Sequence, residues 1–131
     1  MSTTHSTAAR NAATDAVTAL IGASGNLKFR LSGSVSSPGT AVATLPLSAT
    51  AFGASSAGTA TANAITSDTN ATGNASPVAN ATLETSGGTV VIHMDVLSSA
   101  GSDRIVMTGG LTVGAGDTVT CTSLTYTALP A

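Results

Sequence analysis

The chain has few charged and few aromatic side chains. Only 8% of its 131 residues are charged, and it contains no Trp, one Tyr and two Phe. A nucleic-acid-binding surface needs a row of basic side chains for phosphate contacts, and three aromatic rings provide no platform for stacked bases. The whole chain has only four basic residues: Arg10, Lys28, Arg30 and Arg104. We therefore expect no nucleic acid among its partners.

Long apolar runs and cysteine pairs are also missing. No stretch approaches the roughly 20 apolar residues of a transmembrane helix. Residues 1–17 have neither the basic start nor the apolar centre of a signal peptide. Cys121 is the only cysteine, so no internal disulfide forms. These features predict no membrane contact, and synthesis and assembly in a cytoplasm.

Small residues take the place of large ones. The chain has 24 Ala, 23 Thr, 17 Ser and 14 Gly, whereas Leu, Ile, Val and Phe together number 26. Disorder also requires a high net charge, but the net charge here is −2 and Thr and Val favour strands. We predict a folded protein with a thin core, which burial against a partner would stabilise. A Thr/Ser-rich β-sandwich that is stable alone is the alternative.

One amphipathic helix is predicted near the start of the chain, over residues 5–21. Thr3 or Thr4 is expected to cap its start, and Gly22 suits the left-handed position beyond its end. Its apolar residues fall on one stripe at three-and-four spacing: Ala9, Ala13, Ala16, Val17, Leu20 and Ile21. This pattern predicts an N-terminal helical arm (1–22) followed by a β domain (23–131).

The helix stripe is the candidate interface. It consists mostly of Ala, which allows close approach to a flat neighbour, and its central residues are Ala13, Ala16, Val17 and Leu20. Two functions fit such a stripe equally well. It docks on a partner, or it closes the end of the protein's own β domain.

From Asn26 onward the apolar period becomes two, which indicates strands. Leu27, Phe29 and Leu31 alternate with Lys28 and Arg30, as in a half-buried strand. Further strands are predicted over 41–52 (interrupted by Pro46), 59–66, 77–85, 89–97, 104–107 (forming a hairpin with the preceding strand), 111–113 and 117–127. The edge of 59–66 is expected to offer unpaired backbone groups to a neighbour. Seven or eight short strands at this spacing predict a mainly β protein, an antiparallel β-sandwich or jelly roll with an N-terminal helix.

The titratable residues form no obvious reactive set. The six carboxylates (Asp15, Asp68, Glu84, Asp95, Asp103 and Asp117) show no acid/base pairing, and neither a nucleophile elbow nor a phosphate loop is present. His93 and Asp95 lie two apart on one strand face, and Cys121 would complete a three-ligand metal set. However, Cys121 is expected to point into the core, and the other two away from it. We therefore predict no catalysis, no cofactor and no metal.

Three stretches carry a resemblance to known proteins: MSTTHSTAARNAATDAVTALI, LSATAFGASSAGTATANAITSDTNATG and DTVTCTSLTYTALP. They resemble a group of small proteins encoded among the structural genes of tailed bacteriophages. The matching motifs are the Asn-Ala helix (Ala9–Ile21), Ser48–Gly53, Ala62–Asp68 and Thr118–Thr127, and the three stretches that contain them cover roughly half of the chain. After Thr72 this chain departs from the pattern, because the strand near Pro77 to Leu83 contains no aromatic residue.

The resemblance implies a virion component located in the phage head and assembled in the host cytoplasm. The closest fit is a capsid decoration, or cement, protein that binds the lattice of the major capsid protein and copies of itself as a homodimer or homotrimer. A tail, neck or fibre-associated protein is the first alternative. A bacterial surface β-sandwich that acts as a binding module is the second.

Overall fold

The computed structural model describes residues 3–99, 101 and 104–130, so the carboxylate Asp103 lies outside the described residues. Within these ranges the chain forms one helix and seven strands. They are α1 (Thr7–Ala19), β1 (Asn26–Arg30), β2 (Ala41–Pro46), β3 (Thr59–Thr61), β4 (Asn80–Glu84), β5 (Val90–Leu97), β6 (Ile105–Val106) and β7 (Thr125–Thr127). The predicted class, mainly β with an N-terminal helix, is confirmed. No helix in the described ranges is long and apolar enough to cross a membrane.

Five strands form the larger sheet, in the order β2-β1-β4-β5-β6. Its pairs are antiparallel except the last, in which β6 runs parallel to β5 with Val96 opposite Ile105 and Leu97 opposite Val106. The predicted hairpin at this position is therefore wrong, and so is a purely antiparallel architecture. Only the last two residues of β5 take part in the pairing.

One face of this sheet forms the core. Leu27 and Phe29 of β1 are buried, and their antiparallel register places small or aliphatic side chains beside them on the same face. These neighbours are Ala43 and Leu45 of β2, Ala81 and Leu83 of β4, and Ile92 of β5. The alternation that predicts β1 and β5 therefore corresponds to a real apolar face.

Residues 66–74 continue the sheet beyond β2 without forming a regular strand. The N–H groups of Thr66 and Gly73 donate to the carbonyls of Pro46 and Val42 at 2.9 and 3.0 Å. On its other side the segment contacts the chain near Asp117 and forms an isolated bridge between Asp68 and Val119. The predicted strands 111–113 and 117–127 are thus reduced to this bridge and β7. A turn interrupts them, because Gly116 adopts a φ of +83°.

The second sheet pairs β3 with β7. Both edges of β3 are occupied, because on the side away from β7 Thr59 exchanges two backbone hydrogen bonds with Ser56, at 2.9 and 3.0 Å. The carbonyl of Thr61 accepts the N–H of Gly53 on the same side. The expectation of an open edge over 59–66 is therefore wrong.

Helix α1 begins later than the sequence predicts. Ser6, and not Thr3 or Thr4, is the N-cap, and its hydroxyl accepts the N–H of Ala9 at 3.1 Å. Gly22 adopts the predicted left-handed conformation at φ +69°. The helix packs against β3 and β7. The division into an arm (1–22) and a β domain (23–131) stays a prediction.

Candidate interaction surface

Helix α1 is held to the β structure by polar side chains. The hydroxyl of Thr14, 0% exposed, donates to the carbonyl of Gly58 at 2.6 Å and accepts the N–H of Ala128 at 3.1 Å. One turn earlier, Arg10 donates to the carbonyls of Ala57 and Leu129 at 2.6 and 3.3 Å. These contacts tie the helix to the loop before β3 and to the segment after β7.

Two further side chains on the same side of the helix complete this attachment. The side-chain oxygen of Asn11 accepts the N–H of Gly58 at 2.7 Å, and the carboxylate of Asp15 accepts the N–H of Ser55 at 2.9 Å. Each bond satisfies a loop N–H group that would otherwise need water. The polar side of α1 is therefore its attachment side.

Because the polar side is attached, part of the apolar stripe faces outward. Leu20 is 66% exposed and Ala16 is exposed, whereas Ala13 and Val17 are half-buried, with Val17 packed against the core. The helix thus packs on its own chain and also presents a small apolar surface, so the two functions suggested for the stripe are compatible. We call the exposed residues Ala9, Ala16 and Leu20 the outer stripe.

A shallow groove of about 390 Å³ lies beside the end of α1. It is formed by the last turn of the helix, including Thr18 and Ala19, and by residues 49–54, including Phe52. Asp15 is the only ionisable residue among the described residues that line this groove, and its carboxylate accepts the N–H of Ser55. The surface next to the outer stripe is therefore concave and nearly uncharged.

A buried ionic cluster, which the sequence analysis missed, lies on the face of the large sheet opposite the core. The carboxylate of Glu84 is 0% exposed and accepts contacts from Lys28 Nζ at 2.9 Å and Arg30 Nη2 at 2.7 Å. Arg30 also donates to the hydroxyl of Thr82 at 3.0 Å, and this hydroxyl donates to Glu84 at 2.9 Å. A further bond from Arg30 reaches the carbonyl of Gly39.

This cluster joins β1 to β4, and within it the Glu84 carboxylate pairs with both cations, Lys28 and Arg30. Burial raises the pKa of the Glu84 carboxyl, but hydrogen bonds from Lys28, Arg30 and Thr82 lower it more, and the net pKa lies below 4.5. The alternation of Lys28 and Arg30 with apolar residues indicated a solvent-facing row. The pairing becomes visible only once the register places Glu84 and Thr82 opposite β1.

The three residues weighed as metal ligands line one larger groove. His93 and Asp95 face away from the core, as predicted, since they lie opposite Thr82 and Asn80 of β4. Cys121 is half-buried and not fully inward as expected; its thiol donates to the carbonyl of Ser123 at 3.5 Å, and burial raises its pKa. Among the residues that the structure describes, no group of three His, Cys, Asp or Glu side chains is arranged to hold a metal ion.

This larger groove, which we call the edge groove, has a volume of about 1120 Å³. It lies between the β5–β6 side of the large sheet and residues 117–127. Its lining includes the apolar side chains of Phe29, Met94, Val119, Leu124 and Tyr126.

The comparisons with known proteins add no family assignment. No protein-family model, no curated protein and no solved structure matches this chain.

Proposed function

We propose that this protein is a structural virion component, a capsid decoration protein that binds the major capsid protein of a tailed bacteriophage head. The proposal starts from the resemblance of Ala9–Ile21, Ser48–Gly53, Ala62–Asp68 and Thr118–Thr127 to phage structural proteins. We also propose that the sheets of five and two strands form the layers of the predicted β-sandwich or jelly roll.

The observation that carries the proposal is the outer stripe on a firmly attached helix. Leu20 is 66% exposed, although burying a Leu side chain contributes roughly 1.5–3 kcal/mol. The helix that presents it is held by buried Thr14 and by Arg10, so the stripe is a preformed surface. Ala at the neighbouring exposed positions lets a flat partner approach closely.

The low charge of the chain supports the same function. With 8% charged residues, the surface offers few ion pairs, and its contacts are small and apolar or made by hydroxyl groups. Individually weak contacts become strong when a symmetrical lattice presents many of them to a dimer or trimer. A decoration protein in contact with copies of itself and with the shell uses this avidity.

The test is a pair of double variants. Ala16→Asp with Leu20→Asp adds two charges to exposed positions of the outer stripe. Ser34→Asp with Ser36→Asp adds the same charges to the exposed loop between β1 and β2. Both proteins should keep the wild-type circular dichroism spectrum, because all four positions are exposed. Asp at the C-terminal end of α1 is unfavourable for helix propensity and for the helix dipole, so the outer-stripe variant should be less stable by roughly 1–2 kcal/mol without losing a buried contact.

In co-sedimentation with heads assembled without the protein, the outer-stripe variant should bind at least about tenfold more weakly than wild type, whereas the loop variant should bind normally. Equal binding by all three proteins would remove the outer stripe from the interface. Val17→Asp is not suited to this test, because Val17 packs against the core and we expect a charge there to destabilise the fold as well as any interface.

A further inference from the structure

The outer edge of β7 is open. Thr59 of β3 uses both of its backbone groups with Ser56, and the N–H of Ala62 donates to the carbonyl of Leu124. The hydrogen-bonded pairs of the β3–β7 ladder are therefore Ala62–Leu124 and Ala60–Tyr126. By the alternation of an antiparallel ladder, the N–H and C=O groups of Thr125 and Thr127 point away from β3. None of these four groups has a hydrogen-bond partner within 3–99, 101 and 104–130.

The outer edge of β6 is open as well. The N–H of Met107 donates to the carbonyl of Leu97 at 3.0 Å, so Ile105 and Met107 direct their ladder groups towards β5. The residue between them, Val106, points its N–H and C=O groups to the other side. Among the described residues these two groups also have no hydrogen-bond partner.

Both open edges line the edge groove. Val106 contributes to one wall, and Thr125, Tyr126 and Thr127 contribute to the other. Both strands direct backbone donors and acceptors outward. An additional strand placed between them could pair with both, because its own N–H and C=O groups point alternately to either side. A small molecule would leave most of these groups without partners.

We propose that the edge groove binds a single extended segment of another protein molecule, inserted as a strand between β6 and β7. The occupant is an isolated segment and not the edge of a folded sheet, because the neighbouring strand of such a sheet would need the space taken by the opposite wall. This site is distinct from the outer stripe and does not depend on the capsid proposal.

The charge of the groove narrows the class of segment. Asp95 is exposed in its lining, and Asp117 lines it while its carboxylate accepts the N–H of Gly114 at 2.8 Å. Among the described residues of the lining, Arg104 is the only Lys or Arg and has an interaction of its own, and His93 also lines the groove. This slightly acidic balance favours a neutral or basic segment.

The test uses the full chain and a capped nonapeptide of alternating Thr and Val with a Lys at each end. Thr125→Pro removes an outward N–H without touching the bonds to β3, and Pro is tolerated at strand edges. The variant should therefore have the same thermal unfolding midpoint as the wild type. The matched peptide control carries N-methyl groups at alternate residues, which removes the donors along one edge but keeps the side chains.

We expect the unmodified peptide to slow amide hydrogen exchange at Val106, Thr125 and Thr127 of the wild type. Its affinity for Thr125→Pro, and the affinity of the methylated peptide for the wild type, should each be about tenfold lower. Equal affinity in either comparison would overturn the proposal. A wild-type protein that does not bind the peptide would also overturn it. One such case is a free protein that dimerises through β7, in which Thr125→Pro abolishes the dimer.

Discussion

At the scale of single residues, the ionic cluster around Glu84 is the main polar feature of the large sheet. Its carboxylate is fully buried between Lys28 and Arg30, and the hydroxyl of Thr82 donates a hydrogen bond to the same oxygen as Arg30. Removing one partner of a buried ion pair leaves an uncompensated charge and costs roughly 3–5 kcal/mol. The cluster therefore constrains the β1–β4 pairing more strongly than a surface pair would.

Glu84→Gln should lower the free energy of unfolding by roughly 3 kcal/mol at neutral pH, because it leaves Arg30 buried without a counter-charge. The pKa of Glu84 is lower in the folded state than in the unfolded state. The stabilisation by its carboxylate is therefore fully present when the pH is above the unfolded-state pKa, and it is lost as the pH falls through the folded-state pKa. The difference between wild type and variant should thus shrink below about pH 4.5.

Chemical denaturation of both proteins across this pH range measures the effect. Asp95→Asn is the matched control, since it removes an exposed carboxylate and should change stability by less than about 0.5 kcal/mol at neutral pH. A Glu84→Gln protein as stable as wild type at pH 7 would show that the cluster contributes nothing.

At the scale of elements, the attachment of α1 shows why sequence periodicity predicts the helix but not its contacts. The three-and-four spacing of its apolar residues indicates a buried stripe, yet Leu20 is exposed and Thr14 is buried. Loops with free backbone groups lie beside the helix, and polar side chains satisfy those groups better than apolar ones. The partner segments lie 40 to 119 residues away in the chain, so nothing near the helix in the sequence indicates these contacts.

For the strands, too, the sequence pattern predicts the elements better than their contacts. β1 and β5 are predictable because Leu27, Phe29, Ile92 and Val96 alternate with polar residues. The short strands β3 and β7 contain mainly Thr and Ala, which fit either face, so the ends of both strands and the free edge of β7 depend on the register alone. The buried ionic cluster was missed for the converse reason, since Lys28 and Arg30 follow the pattern of a solvent-facing row.

Thr14→Val should destabilise the protein by roughly 2 kcal/mol, because the buried carbonyl of Gly58 and the half-buried N–H of Ala128 both lose their partner. Thr18→Val is the matched control. Thr18 is nearly as buried, but within the described part of the chain its hydroxyl bonds only to the carbonyl of Asp15 in the same helix. Thermal unfolding should separate the two variants, and equal losses would contradict the role given to Thr14.

At the scale of the whole molecule, composition and topology both support the proposal that this chain associates with other protein molecules. Large apolar residues are few and most of them are buried in one core, to which the large sheet, the end of α1 and several loops contribute. The remaining surface is small, hydroxylated and nearly uncharged. The outer stripe and the open edges of β6 and β7 are places where a neighbour would add burial and hydrogen bonds. We therefore regard association as the central property of this chain.

The most direct test of that claim is co-sedimentation of the purified wild-type protein with phage heads assembled without it, and separately with tails. The proposed decoration function predicts saturable binding to heads, at a ratio to the major capsid protein fixed by the lattice symmetry, and no binding to tails. Protein that stays in the supernatant with heads at every concentration, or that sediments only with tails, would contradict it.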